Sequence, residues 1–439
     1  MSHDHDHDSR PRPTGGNYIT TSESEDGVDR RGFLRCMAWA GTATVWVMAG
    51  GVPTSFLVSR IPFLTEAERK SIFFAQISDS HIGFSKEANK DVTATLQQAV
   101  ARLNALPQTP ALVLHTGDIT QLSKPSEFDT AHQVLAGIKS ERVFYVPGEH
   151  DVATDNGASY LARYGKGTKG NGWYSFDHSG VHFIGLVNVL NLKAGGLGTL
   201  GPEQLAWLKR DVSGLSSSTP IVVFAHIPLW TIYPQWGWGT GDSEQALGLL
   251  KRFGSVTVLN GHIHQIIQKV EGHVAFHTAM STAFPQPAPG TAPAPGPMTV
   301  DAARLTSVLG IADVTFIPGR SALAIVDATL SGQPPAFDAA TRDAAQRPQP
   351  RRTIALGPND VGIDNFQFSP ATLTVSRGTT VTWINNDDVP HLIVSADRRF
   401  KQSPVLDTGQ KYQTTLDKPG TYKYFCSLHP MMQGTIVVK

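Results

Sequence analysis

Five short apolar runs in this chain each stop at a residue able to hold a metal or move a proton, and that recurrence constrains the fold more than any other feature. Ser71 to Asp79 ends in Asp79-Ser80-His81, and Ala111 to Asp118 ends in Gly117-Asp118. Val143 to Val146 passes through Pro147-Gly148 into Glu149-His150-Asp151. Pro220 to His226 ends in a histidine, and Ser255 to Gly261 leads to His262-Ile263-His264. Short runs rich in β-branched and aromatic residues, bounded by turn formers, read as buried strands. Unpaired charge at a buried strand end is costly. Its repetition makes sense if the groups converge on cations, in the crevice beyond strand carboxyl ends where open α/β sheets bind ligands.

The segments between these runs fit that frame. Asp91 to Leu106 carries Val92, Leu96, Ala99, Val100, Leu103 and Leu106 on one helical face before Pro107 stops it. Glu127 to Ile138 repeats the pattern with Phe128, Ala131, Leu135 and Ile138, so the order begins β-α-β-α-β. Gly172 to Asn188 reads as a hairpin turning at Asp177-His178-Ser179-Gly180, and Pro202 to Val212 and Gly241 to Phe253 read as helices. Carboxylates mixed with imidazoles suit Mn, Fe or Zn better than Ca or Mg alone. Two such cations about 3.5–4 Å apart clamp a phosphoryl group and acidify a bridging water.

A different pattern follows. Residues 331–352, rich in Pro, Ala, Arg and Gln without apolar periodicity, read as a linker. Residues 353–439 alternate in short strands, such as Ala371 to Val375 and Thr380 to Ile384, with turns such as Asn385 to Asp388, which suggests a small β-sandwich. Val389-Pro-His391 and Cys426-Ser-Leu-His429-Pro-Met-Met432 bring together a thiolate, two imidazoles and a thioether. That is a blue-copper ligand set, with three ligands on one tight loop and His391 from elsewhere. Met431 reads as packing or rim.

At this point the residues resemble two known families. Asp79-x-His81, Gly117-Asp118, Gly148-Glu149-His150-Asp151, His226 and Gly261-His262-Ile263-His264 resemble the calcineurin-like metallophosphoesterases over residues 72–330. The resemblance implies an α/β fold, mixed β-sheets in a sandwich flanked by helices. It implies that Asp79, His81 and His264 hold one metal, that Asp118 bridges, and that Glu149, His226 and His262 hold the second. His150 would then face the phosphoryl group with Asp151 orienting its ring, and a metal-bound hydroxide would attack in line. The departure is Glu149, where the family usually has Asn: an anionic ligand that weakens substrate binding, favours Fe(III) or marks a degenerate site. Gln121 stands where purple acid phosphatases place an iron-ligating Tyr, which disfavours that subgroup. His-Thr-Gly-Asp118, Gly201 to Leu208 and Ala225-His226-Ile-Pro are similar to bacterial cyclic-nucleotide-type phosphodiesterases. The C-terminal segment resembles the cupredoxins, plastocyanin and amicyanin above all. That implies a Greek-key sandwich holding copper through His391, Cys426, His429 and Met432, and one-electron chemistry with a redox partner. The rival reading is a copper-binding electron-transfer protein whose phosphoesterase domain is degenerate or redox-gated.

Lys+Arg and Asp+Glu both total 37, so no global field points to duplex nucleic acid. Residues 1–28 read as a disordered polar tail. Residues 29–59, with Arg30-Arg31 before Phe33-Leu34 and an uncharged stretch, resemble a twin-arginine export signal. Val47-Met48-Ala49 suits cleavage. The stretch is also long enough to anchor the chain in a membrane if it is retained, though Gly, Pro53 and Ser/Thr weaken that alternative. The expected partner is a phosphate ester. Nucleotide-like substrates are suggested by Trp230, Tyr233, Trp236 and Trp238 after His226, rings suited either to stacking on a base or to packing on a neighbouring domain. Phe284 to Pro297 reads as a spacer or a surface loop.

Overall fold

The computed structural model describes residues 71–316, 324–332 and 354–439. It also gives the backbone of two N-terminal strands, β1 (Thr44–Ala49) and β2 (Val52–Leu57), which pair antiparallel. The polar tail, the rest of the export-signal segment and nearly all of the linker lie outside the described residues. Among the described residues, no helix is long and apolar enough to cross a membrane.

Two mixed sheets face each other. The first is built from β3 (Ile72–Ile77), β4 (Leu112–His115) and β5 (Arg142–Tyr145), which run parallel, and is extended on the β3 side by antiparallel β12 (Gly310–Phe316) and β13 (Ala324–Thr329). The second contains β6 (Tyr174–His178), β7 (Val181–Gly185), β8 (Ile221–Ala225), β9 (Val256–Asn260), β10 (Gln268–Glu271) and β11 (Val274–Thr278), in the order β10-β11-β9-β8-β7-β6. The period of two in a strand sorts its side chains onto opposite faces. Ile72, Phe74, Leu112, Leu114, Val222 and Phe224 point into the layer between the sheets, where Phe74 meets Phe183 edge-on at 5.3 Å. Their neighbours Ala75, Ile77 and Val113 face the helices α1 (Val92–Asn104) and α2 (Pro125–Leu135). On the far side, Ile221, Val223 and Ala225 face α4 (Gly201–Ser213) and α5 (Ser243–Leu250); the short α3 (Ala158–Tyr164) lies between β5 and β6 in the chain. α1 starts where Asp91 accepts the Ala94 N–H at 2.9 Å, and the carboxylate of Glu127 accepts the N–H groups of Leu122 and Lys124 around the start of α2.

One strand differs from its sequence reading. The Val143–Val146 run reads as fully buried, yet β5 is a sheet edge with Arg142 exposed and Val143, Phe144 and Tyr145 half-buried. Tyr174 covers that edge: its hydroxyl accepts the Tyr145 N–H at 3.1 Å and donates to the Tyr145 carbonyl at 2.9 Å.

The C-terminal residues form a second sandwich. Its strands are β14 (Asp360–Asp364), β15 (Gln367–Ser369), β16 (Thr372–Val375), β17 (Thr379–Asn385), β18 (Ile393–Ser395), β19 (Lys411–Leu416), β20 (Gly420–Cys426) and β21 (Gln433–Val438). They make sheets ordered β15-β14-β17-β19 and β16-β21-β20-β18 around Trp383, Tyr424, Phe368, Val381 and Ile436. Trp383 and Tyr424 meet edge-on at 5.3 Å.

β12 carries a cost. Burial lifts the carboxyl of Asp313 to about 6, with Arg102 opposing and Asp327 reinforcing, and its Oδ1 has no hydrogen-bond partner. A carboxyl raised in the fold favours the protonated form. Its contribution is therefore fully present below the unfolded value and is lost as pH rises through about 6. Asp313→Asn is expected to stabilise the protein by about 1–2 kcal/mol at pH 8 and by nothing measurable at pH 4. Urea midpoints at the two pH values check this, and an equal gain at both would rule it out.

Candidate metal centres

The ligating side chains sit where each strand has just ended, and the backbone there is unusual. Asp79, His81, Asp118, His262 and His264 all have positive φ, between 43° and 71°. Such left-handed residues other than glycine cost about 1 kcal/mol or more each and cluster at functional sites. Backbone hydrogen bonds fix them: Asp79 N–H to Gly117 O at 3.0 Å, and His81 N–H to Asp118 O at 2.9 Å. The sharp turns aim successive side chains into one crevice.

Two clusters result. Asp79, His81 and His264 form the first; Asp118, Glu149, His226 and His262 form the second, with the candidate ligand atoms of each within 4.8 Å of one another. Asp118 connects them. Its Oδ2 lies 3.3 Å from His226 Nε2 and 3.6 Å from His81 Nε2, while its Oδ1 accepts the His150 N–H at 3.0 Å.

The hydrogen-bond pattern fits cations. His81 Nδ1 is 2.8 Å from Gln121 Oε1, and His264 Nδ1 is 2.6 Å from the Phe284 carbonyl oxygen, so each donates from Nδ1. Their Nε2 atoms then face each other as lone pairs at 3.2 Å, an arrangement that a cation between them would satisfy. His226 likewise donates Nδ1–H to the Thr116 carbonyl at 2.7 Å. Backbone partners of this kind set the tautomer of metal-binding imidazoles. His226 Nε2 lies 3.0 Å from Glu149 Oε2 and His262 Nδ1 lies 2.9 Å from Glu149 Oε1. Glu149 Oε2, His226 Nε2 and His262 Nδ1 nevertheless lack the angles of a hydrogen bond. Burial pushes the Glu149 carboxyl up, but His262 and His226 outweigh it and hold it well below the usual range. Glu149 thus reaches into the second cluster as an anion.

Asp151 departs from the role its resemblance implied. Its carboxylate accepts the N–H groups of Gly148, Ile119 and Thr120 and the Thr120 hydroxyl, at 2.8–3.1 Å, and no hydrogen bond or ion pair joins it to the His150 ring. His150 is held instead by the Gln121 carbonyl, 2.8 Å from its Nδ1. Burial and the charge of Asp118 push Asp151 up to about 7, and it serves as a clasp for the loop.

Gly148 makes room for this loop. A Cβ there would collide with Oδ1 and the amide nitrogen of Asp118. Gly148→Ala is expected to displace Asp118, lower bound metal at the binuclear site below one ion per chain, and destabilise the fold by about 2–4 kcal/mol. Elemental analysis with thermal melting checks it; full metal content would contradict the assigned geometry.

The copper ligands meet at one end of the C-terminal sandwich. His391 Nε2 is 2.9 Å from Asp387 Oδ2, which leaves Nδ1 facing His429 Nδ1 at 3.3 Å. Cys426 Sγ is 3.7 Å from His429 Nδ1 and accepts the Leu392 N–H at 3.4 Å. Met432 is buried in the same core, and its loop is closed by Met432 N–H to His429 O at 2.9 Å and Cys426 N–H to Met432 O at 3.1 Å. A buried thiol converging with two imidazoles fits copper. Asp387 escaped the sequence reading, although its place four residues before His391 in a polar turn was the available signal. The carbonyls of Gln121, Thr116 and Phe284 carry no such signal.

Two of the aromatic loop's four rings are packed away, while Tyr233 and Trp236 are half-buried. Trp230 and Trp238 are buried, Trp230 against Phe276 and Trp238 against Trp236. Phe284 and Ala294 are buried too, so the 284–297 stretch is more than a spacer.

A family model described as "Calcineurin-like phosphoesterase" matches residues 74–266, and one described as "Copper binding proteins, plastocyanin/azurin family" matches residues 357–439. The last part of the chain therefore belongs to the plastocyanin/azurin copper proteins, and residues 74–266 match the calcineurin-like phosphoesterases. Amicyanin-alpha of Methylorubrum extorquens is 30% identical over 108 residues, 24% of this chain and 91% of that protein. Plastocyanin of Scenedesmus fuscus is 36% identical over 99 residues, covering 20% and 98%. Glycerophosphodiester phosphodiesterase GpdQ of Enterobacter lignolyticus is 27% identical over 209 residues, covering 44% and 72%. The protein is a hydrolase of phosphoester bonds that takes a pair of metals in one domain and copper in the other.

Proposed function

We propose that the protein is an exported phosphodiesterase that carries its own copper module, with a phosphoesterase domain over about 72–330, a linker over 331–352 and a cupredoxin over 353–439. The observation that carries this reading is the meeting of two ligand clusters on one carboxylate, Asp118. Asp79, His81 and His264 hold one cation, Glu149, His226 and His262 hold the other, and Asp118 touches both. A bound pair supplies positive charge to the phosphoryl oxygens and lowers the pKa of a water. His150 donates Nδ1–H to the Gln121 carbonyl, so its Nε2 is the atom left to bind the ester and to give or hold a proton at the leaving oxygen. A diester is favoured over a monoester by the likeness to GpdQ and by Glu149, whose extra negative charge opposes a dianionic phosphate more than a monoanionic one. The cupredoxin holds copper through His391, Cys426, His429 and Met432. Export by the twin-arginine route rests on Arg30-Arg31 and the uncharged stretch after them.

The test is turnover of bis- and mono-nitrophenyl phosphate by the full chain supplied with Mn, Fe or Zn. Hydrolysis with the diester preferred is expected. No turnover with any of the three metals would sink the reading and leave the copper protein alone.

A further inference from the structure

The copper end of the cupredoxin lies against the mouth of the binuclear site. The Pro430 carbonyl accepts the Gly195 N–H at 2.5 Å. A Cβ built on Gly237, in the loop after His226, would lie 3.6 Å from Met431 Cγ, and one on Gly296, in the loop after β11, would lie 3.5 Å from the Phe366 ring. Lys86, five residues past His81, pairs with Asp407 at 3.4 Å. Ala153, two residues past Asp151, is buried with the cupredoxin core. Loops that leave three of the five ligand-bearing strand ends therefore touch the copper module, as does the loop after β11. At the centre, the His429 and His150 rings face edge-on with centroids 6.3 Å apart, and His429 is close enough to feel the charges of Glu149 and His262. Phe366 packs on His429 at 4.7 Å.

We propose that the cupredoxin forms the outer wall of the phosphoester site, with His429 and Met431 as the residues that limit the size of the diester it accepts. His150 is the side chain left to meet the leaving oxygen, and what lies opposite it belongs to the copper domain. An ester group that reaches His150 must pass beside the copper loop, so that loop limits its size. The wall also makes the copper centre a reporter of the neighbouring site, because an anion bound beside His150 changes the field at His429. By linkage, copper and anion then affect each other's binding equally.

This inference rests on the phosphodiesterase reading, and its test separates the two. The full chain, loaded with zinc and Cu(II), is titrated with inorganic phosphate while heat and the copper absorption band are followed together. The expected result is a saturable change in the band with the same midpoint as the heat. In parallel, Met431→Ala, a partly exposed rim residue, is expected to raise the ratio of kcat/KM for bis-nitrophenyl phosphate over methyl nitrophenyl phosphate by about fivefold or more. Lys86→Glu, which breaks the pair with Asp407, is expected to move the ratio the same way. Phosphate heat without a copper change, or no phosphate binding at all, overturns the wall, as does an unchanged ratio in both variants. If neither diester is turned over, the phosphodiesterase reading fails and the copper band alone decides the wall.

Discussion

Asp118→Asn is expected to lower phosphodiester turnover by at least about a hundredfold, roughly 2.7 kcal/mol of transition-state stabilisation, while leaving the fold intact. The substitution changes one atom and one charge. Asn can keep Oδ1 as acceptor for the His150 N–H, so the turn at Gly148 is preserved. Its amide nitrogen then replaces the oxygen that lies between His226 Nε2 and His81 Nε2. That position must be an anion if it is to serve two cations, and a neutral donor there repels both. Metal content should fall together with turnover, and excess metal should not restore the wild-type rate. Turnover within a few-fold of wild type would remove Asp118 from the bridging role.

Cys426→Ser is expected to abolish the intense thiolate-to-copper absorption outright. Cys426 is fully buried, and its sulfur lies against His429 and the Leu392 N–H within its own sandwich. Serine is close in size, so β20 and the loop back to β21 should stay in place. A hydroxyl is a hard and weakly acidic donor that does not replace a thiolate for copper. Zinc content at the other site should remain two per chain, since Cys426 belongs to neither of its clusters. A retained blue band would mean that copper is held elsewhere.

The strand ends were legible because a charged residue closing an apolar run has few explanations, and Asp79, Asp118, Glu149, His226 and His262 each did so. The helices were legible from periodicity, with boundaries off by a few residues: the helix read at Glu127–Ile138 spans Pro125–Leu135, and that at Gly241–Phe253 spans Ser243–Leu250. β10 and β12 were not, and the reason is physical. Gln268–Glu271 is an exposed edge with no apolar alternation, and the alternation of β12 is confined to the short run Ala312–Phe316 after an irregular segment. Asp151 misled because sequence neighbours on a tight turn need not be partners in space; its carboxylate turns back to the amides of Gly148, Ile119 and Thr120 while His150 turns away. The wall was hidden for a related reason. Local sequence names the two modules, but contacts such as Lys86 with Asp407 join residues more than three hundred positions apart.

The facing lone pairs of His81 and His264 also bear on how the chain holds together. These two residues are separated by 183 positions, so a cation between them ties the first strand of the domain to the last of its ligand-bearing loops. In topological terms it is a removable cross-link, closing a very long loop and narrowing what the unfolded chain can explore. The copper tie between His391 and His429 closes only 38 positions. Because closure entropy grows slowly with length, the longer tie restricts the chain more per ion, and there are two ions to lose. Stripping metal from this protein should therefore loosen the phosphoesterase half before the copper half, and the order in which the halves unfold becomes a property of which metals are present.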